Sequence, residues 1–316
     1  MWSRASKTTR PKLATPYITH NGLQILRKVL RLTTESTTPN MEDVVFVAID
    51  FEHLQNITED LSLNLECQAG LAILDTRSFR NSQGDITKGV ITTYNIATGS
   101  SRYCANAARK FKFGEAITTT QKDMLERIRS LIPPSRNIVL VGHELQNDLR
   151  CLRGLGAECD EPYVAILDTR QISQEVLPGS RHTLRHILRN LNCPHGRMHS
   201  AGNDAHFTLR ALLLLAVRDC KERKDVNHQQ GEEILHMLES IAHAPVPFSI
   251  SPGGLAERNR IRLEANRRER KIEREKNMSP EKQAQKRADK TLKKLERESQ
   301  EALLLRLHGL CFLDSP

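Results

Sequence analysis

DVVFVAIDFE (residues 43–52) decides the fold. Its β-branched and aromatic residues read as a buried strand, and the run ends on two acids, Asp50 and Glu52, set two positions apart. Alternate side chains on a strand share a face, so both carboxylates project the same way. A D-x-E triplet arises often by chance, and a solvated strand end is its ordinary explanation. Here the apolar run puts the pair at the lip of a core strand, where unpaired anions are costly. A divalent cation between them would remove that cost, and two oxygen ligands on a rigid strand suit Mg²⁺ or Mn²⁺.

Outward from this strand, the periodicity alternates. CQAGLAILDT (67–76) and GVITTYNI (89–96) read as a second and third strand, with a loop around Gly84 and Asp85 between them. QKDMLERIRSLI (121–132) spaces Met124, Leu125, Ile128, Leu131 and Ile132 as one helix face. NIVLVGH (137–143) is a fourth strand, and ELQNDLRCLRGLG (144–156) is a helix closed by glycine. YVAILDT (163–169) is a fifth strand, followed by helices in RHTLRHILRNL (181–191) and NDAHFTLRALLLLAVRD (203–219). The order βββαβαβαα predicts an α/β fold with a mixed five-stranded sheet. Three strands meander antiparallel, two parallel strands are added through helical crossovers, and helices cover both faces.

Two further groups of polar residues fall on these elements. Asp148 lies in the first or second turn of the helix entered through VGH. The macrodipole favours an acid there in any case, but the helix follows the parallel strand expected beside the first one. Ligands in open α/β sheets collect outside the carboxyl ends of such strands. HSAGNDA (199–205) then places His199 five residues before Asp204. On one continuous helix that offset would set them about 140° apart. Gly202 suggests instead that His199 rides on a loop while Asp204 occupies the first helical turn. An imidazole there can take a proton from a bound water near neutral pH.

Composition bounds the rest. The chain has 316 residues and a net charge of +9. Residues 1–40 hold seven Lys/Arg and one acid, and 255–301 hold sixteen Lys/Arg and ten acids, so the middle is slightly acidic between basic flanks. Such flanks can hold a phosphate backbone or stand as solvated tails. The seven cysteines are scattered, with no C-x-x-C pair, as in a reduced intracellular compartment. No apolar stretch of about 18 residues is present, so no membrane partner is expected. The first 34 residues lack acids and suit a mitochondrial presequence. GLQILRKVLRL (22–32) fits a helix packed on the domain equally well, so nuclear, cytoplasmic and mitochondrial locations all stay open.

Together with KFKFGEAI (110–117), NIVLVGHELQNDLRCLRGLG and HSAGNDAHFTLRALLLLA, these motifs give residues 43–220 a clear likeness. The segment resembles the DnaQ-like (DEDDh) 3′–5′ exonuclease domain of the ribonuclease H-like superfamily, the group of ribonuclease T and oligoribonuclease. It is similar in particular to a fungal family of exonuclease-like proteins. The resemblance implies that Asp50, Glu52, Asp148 and Asp204 hold two Mg²⁺ or Mn²⁺ ions and that His199 is the general base. It also implies a nucleic-acid partner, RNA or DNA, with a free 3′ end, from which nucleoside 5′-monophosphates are released. Two positions depart from the family pattern. His53 stands where a small hydroxyl residue is common, and Glu144 where asparagine is common, which makes both candidates for substrate binding. The alternative is a nucleic-acid-binding or adaptor protein on an exonuclease fold with weak or no turnover.

Other residues read as structural. Asp75 and Asp168 end strands in LDT, where aspartate caps the following turn, with Asp168 also a candidate supporting residue for the acids. His182 and His186 have zinc-like i, i+4 spacing but no third ligand, and flank a core stripe of Leu184, Ile187, Leu188 and Leu191. The expected organisation is a basic N-terminal segment with a packing helix (1–42), the exonuclease-like domain (43–220), a helix and Pro/Gly linker (221–254) and a charged, basic helical tail (255–316). In that tail Ser279 and Pro280 read as an N-cap and first helical position. ALLLRLHGLCFL (302–313) offers a face for a protein partner or for the domain itself.

Overall fold

The computed structural model describes residues 18–33, 43–57, 60–79, 90–157, 163–223, 229–276 and 279–310. The chain divides into two compact units, 1–252 and 253–316. In the first, helix α1 (Gly22–Val29) precedes the strands β1 (Val44–Glu52), β2 (Cys67–Asp75) and β3 (Thr92–Thr98). Helix α2 (Ser101–Lys110) leads to β4 (Glu115–Thr118), and α3 (Met124–Leu131) to β5 (Asn137–Gly142). Then follow α4 (Gln146–Gly154), β6 (Tyr163–Asp168), α5 (Thr169–Val176), α6 (Leu184–Asn190), α7 (Ala201–Arg223) and α8 (Gln229–Ala242). The second unit holds most of α9 (Pro252–Lys276) and α10 (Pro280–Leu310). The loop around Gly84 and Asp85 and the first 17 residues lie outside the described residues, as do the side chains of the 302–313 segment.

The sheet runs β4-β3-β2-β1-β5-β6. β1, β2 and β3 pair antiparallel, and β5 and β6 add parallel to β1, as the order of elements in the sequence predicts. The sheet has six strands rather than the expected five, because β4 pairs parallel to β3 on the far side. Periodicity does not reveal β4, since its four residues are exposed or half-buried and alternate no apolar face. The apolar signal of KFKFGEAI belongs to the preceding turn, where Phe111 is buried and Phe113 packs on the core. Helices α2 and α5 are likewise additional to those expected. α5 follows β6 with no intervening loop, capped by the Asp168 carboxylate on the Arg170 N–H.

β1 is buried on both faces, so its alternation separates two cores. Val44, Phe46 and Ala48 face the layer of α1, α5, α6, α7 and α8, while Val45, Val47, Ile49 and Phe51 face α3 and α4. Asp50 and Glu52 continue the first set and point toward α7. α7 is buried nearly all round over its first 17 residues, as a central helix must be. Its polar side chains find partners inside: His206 bonds Thr93 (2.9 Å), and Arg210 bonds His206 (3.0 Å) and the Ala244 carbonyl (2.7 Å). Since guanidinium only donates, His206 Nε2 accepts and Nδ1–H donates to Thr93. Burial and the neighbouring Arg210 push the His206 pKa well below its ordinary value, which keeps the ring in that neutral form. Near the far end of α7, Asp219 takes a two-pronged ion pair from Arg27 of α1 (2.6 Å). The sheet ends in polar pieces on both sides, β4 at one edge and Thr19 at the other. Thr19 N–H donates to the Ile166 carbonyl (2.9 Å), and the Ile166 N–H donates back to Thr19 Oγ1 (3.1 Å).

Candidate active site

Asp50 pairs in register with Gly70 of β2, and Glu52 with Gln68. Gly70 is needed for space: a Cβ there would stand 2.0 Å from the Ala201 carbonyl oxygen and 2.4 Å from Gly202 N. The first turn of α7 therefore lies directly on the sheet beside Asp50. Gly202 is equally tight, since a Cβ would meet the Phe111 ring at 2.6 Å, while its N–H donates to Asn95 Oδ1 (2.8 Å). Gly202 is thus a helical residue kept small by packing, rather than the loop-former that the sequence suggests. The placement itself is as expected, with His199 ahead of the helix and Asp204 in its first turn.

His199 adopts a left-handed backbone conformation (φ 64°), and its N–H donates to Asp204 Oδ2 (2.7 Å). Its ring is 84% exposed, with Nδ1 3.7 Å from Glu52 Oε1. Ligand-type atoms of Glu52, His199 and Asp204 lie within 4.8 Å of one another. Asp148 reaches the group from α4 on the other layer, where its Oδ1 accepts the Phe51 N–H of β1 (2.9 Å). The structure thus brings all four acids and the histidine to the carboxyl end of β1.

The electrostatics show the strain of that convergence. Burial, and then the charges of Asp204, Asp148 and Glu52, push the Asp50 pKa well above the ordinary carboxylate value. Burial likewise pushes Asp148 and Asp204 up to about 7. Asp50 Oδ2 and Asp204 Oδ1 are buried with no hydrogen-bond partner among the described residues. Orphaned carboxylate oxygens at one point are costly unless a cation meets them. The donor set, oxygen-rich with one imidazole beside it, fits a hard divalent ion such as Mg²⁺ or Mn²⁺.

The two departures from the family pattern sit on opposite sides. His53 (φ 63°) directly follows Glu52, and its Nδ1 bonds the Tyr103 hydroxyl (2.9 Å), which accepts from Gln68 Nε2 (3.0 Å). Glu144 (φ 59°) turns away and pairs with Arg170 of α5 (2.8 Å). His143 is structural. Thr169 gives its hydroxyl hydrogen to the Gly142 carbonyl (2.9 Å), so the ring must donate to it through Nδ1 (3.0 Å). His182 is also structural, held between Ser173 and the Gly179 carbonyl (2.9 Å each).

Asp168 carries more than a turn cap. Its carboxylate accepts the N–H groups of Glu144 (3.1 Å), Leu145 (3.0 Å) and Arg170 (2.8 Å), which fixes the starts of α4 and α5 together. Asp148 sits on the first turn that this carboxylate holds. The sequence signal for this role is the place of Asp168 at the end of the strand run YVAILDT. Tyr103 and Gln68 gave none. Asp168→Ala is expected to cost about 2–4 kcal/mol in urea unfolding, from three donors left bare, with Asp168→Asn recovering part of it. An alanine variant as stable as the parent would refute this role.

The model of the family described as DNA polymerase III subunit epsilon-like, C-terminal domain (DEDDh_C) matches residues 45–215. Among curated proteins, the chain is similar to the uncharacterized protein YDR514C of Saccharomyces cerevisiae, 25% identical over 63% of this chain and 46% of that protein. It is similar to an uncharacterized nucleolar protein of Schizosaccharomyces pombe (C2C4.08), 26% identical over 36% of this chain and 49% of that protein. The S. cerevisiae protein called good for full DBP5 activity protein 2 is 25% identical over 48% of this chain and 32% of its own length. The chain thus spans half or less of these curated relatives. The solved structure of exonuclease X in complex with 5′ overhanging duplex DNA aligns over 61% of this chain and 99% of that one. It does so at 11% identity with a TM-score of 0.30. Among the described residues no helix is long and apolar enough to cross a membrane.

Proposed function

This chain belongs to the family of DNA polymerase III subunit epsilon-like C-terminal domains, and from that premise we propose that it is a metal-dependent 3′–5′ exonuclease. It removes nucleoside 5′-monophosphates from the 3′ end of RNA or DNA. The observation that carries this reading is the pair of orphaned buried oxygens, Asp50 Oδ2 and Asp204 Oδ1, among four convergent carboxylates. A structural or adaptor surface has no need to bury anions without partners. Asp50, Glu52, Asp148 and Asp204 would hold two Mg²⁺ or Mn²⁺ ions. When bound, these supply activation of the attacking water and neutralisation of the charge on the leaving 3′-oxygen.

The remaining work belongs to the chain's own residues. His199 is anchored by its backbone to Asp204, and its exposed ring can swing over the acids to take the proton of the attacking water. Glu52 Oε1, 3.7 Å from Nδ1, stabilises the imidazolium that forms. Attack of the water oxygen on phosphorus breaks the bond to the 3′-oxygen, which takes a proton from solvent to become a hydroxyl, and the imidazolium returns its own proton to solvent.

The test is incubation of the full chain with 3′- and 5′-labelled single strands in Mg²⁺, in Mn²⁺ and in EDTA. Expected is metal-dependent shortening from the 3′ end, slowed about 10²–10⁴-fold in His199→Ala, the usual range for loss of a general base. Tight binding with no cleavage under either metal would overturn the reading in favour of a binding protein.

A further inference from the structure

The acids have a counterpart of opposite charge beside them. Residues 86–114 and 176–203 hold nine Lys/Arg and not one acid, although the domain around them is slightly acidic. The first stretch runs through β3 and α2 to the start of β4, the second through α6 to the first turn of α7. One side chain ties the two together. Asn203 is fully buried and stands one residue before Asp204. Its Oδ1 accepts the Lys112 N–H (3.3 Å), and its Nδ2 donates to the carbonyls of Lys110 (3.2 Å) and Arg197 (3.4 Å). Three cationic residues from two segments are thereby held around a single carboxamide. Phe111 is buried between the two lysines, close against Gly202, and Arg197 comes two residues before His199. The cluster adjoins the acids through α7 and the histidine through its loop.

An exposed lysine or arginine on its own is ordinary. Here Lys110, Lys112 and Arg197 are all half-buried in one neighbourhood, and like charges that are gathered and partly desolvated are unfavourable unless an anion meets them. Elsewhere the chain supplies that anion itself. Arg27 pairs with Asp219, Arg170 with Glu144 and Arg218 with Glu222. The side chains of Lys110, Lys112 and Arg197 make no ion pair or hydrogen bond among the described residues. A phosphodiester backbone fits such a cluster, because it repeats its charge along the strand and is read by charge alone. A strand that brings its end to four carboxylates is also repelled by them, and cations alongside offset that field. Arg185 carries the positive bank up to the acids. Burial raises the Asp204 carboxyl, and Arg185, exposed on α6, is near enough for its charge to oppose that rise.

We propose that Lys110, Lys112 and Arg197 hold the phosphate backbone of the nucleic-acid strand on the 5′ side of the end that lies at the acids. The inference rests on the exonuclease reading only for the identity of the polyanion, so its test runs without turnover. A labelled single strand is titrated with the full chain in EDTA at several salt concentrations, and fluorescence anisotropy reads the affinity. In Lys110→Gln/Lys112→Gln/Arg197→Gln the affinity should fall about tenfold at about 0.1 M salt. The slope of log affinity against log salt should fall by about two, since each phosphate contact on a single strand contributes about 0.7. The Lys110→Arg/Lys112→Arg variant keeps the charges and should bind as the parent does. Lys122→Gln/Arg127→Gln/Arg129→Gln removes as many cations at α3, which packs in the other layer, and should leave the slope nearly unchanged. Should the first variant fail to fold, Lys112→Gln alone is read in its place, with a slope lower by about 0.7. The parent slope in the cluster variants, an equal fall in the α3 variant, or no binding by the parent at low salt would overturn the proposal. Tighter binding of polyglutamate than of an oligonucleotide of equal charge would overturn the choice of strand. Cleavage fails or succeeds separately in the metal assay.

Discussion

Gly70→Ala is expected to destabilise the domain by more than about 3 kcal/mol, beyond the usual range for an overpacked core, and to leave little folded protein at 37 °C. The added methyl would stand 2.0 Å from a backbone carbonyl, and backbone cannot rotate away as a side chain can. The conformation of the residue is not at issue, because β2 is regular strand at this point. Relief would require lifting the start of α7, and Asp204 lies three residues into that helix. Any fraction that folds should therefore lose cleavage as well. Gly202→Ala presses chiefly on the Phe111 ring and Asn95 Cβ, so its cost should be smaller. Urea unfolding of the three proteins checks the order. A Gly70→Ala variant with the parent midpoint would show that α7 does not rest on the sheet as described.

The second large effect divides activity from stability. Asp50→Asn is expected to lower metal-dependent cleavage by more than about 100-fold, since even residues that only support a metal ligand commonly cost 10–100-fold. The same substitution should raise the melting temperature of the metal-free protein at pH 8. The sign follows from the raised carboxyls. Asp50, Asp148 and Asp204 hold protons more tightly folded than unfolded. Their contribution is complete below the unfolded value near 4 and is lost as pH rises through the folded values of about 7. In EDTA the parent should melt higher at pH 5 than at pH 8, and added Mg²⁺ should narrow the gap by meeting the ionised forms. Asn at position 50 removes one of the opposed charges, worth on the order of 2–4 °C for each kcal/mol relieved. Differential scanning fluorimetry at both pH values measures it. A lower melting point for Asp50→Asn at pH 8 in EDTA would show that the acids do not oppose one another.

Much of this arrangement is legible in the sequence. Runs with a clear period, such as VVFVAI and the helix face of Met124, Leu125 and Ile128, fall on strand and helix because burial imposes the period. Asp50, Glu52 and Asp148 are legible because each ends or follows such a run, and Asp204 because it opens one. Short elements are not. β4 has no buried face to alternate, and α5 starts without a breaker because Asp168 ends the strand and caps the helix at once. Backbone conformation was also out of reach. His53, Glu144 and His199 all adopt positive φ, which non-glycine residues do rarely and tend to do at functional turns. Glu144 departs from the family pattern in the sequence, yet only its ion pair with Arg170 shows that it turns away from the acids. Gly202 suggests a loop by its conformational freedom, whereas its use is to leave room for Phe111.

The polar endings of the sheet bear on how the protein behaves in a crowded solution. A bare strand edge is a template on which a second copy can add, and sheets left open in this way seed aggregates. Here one flank is four residues long and carries Glu115 and Thr118, too short and too hydrophilic to recruit a neighbour. On the other, Thr19 occupies both the donor and the acceptor of Ile166. Addition of a further strand is thus opposed at β4 by brevity and beside Ile166 of β6 by occupancy, for reasons that have nothing to do with the acid cluster.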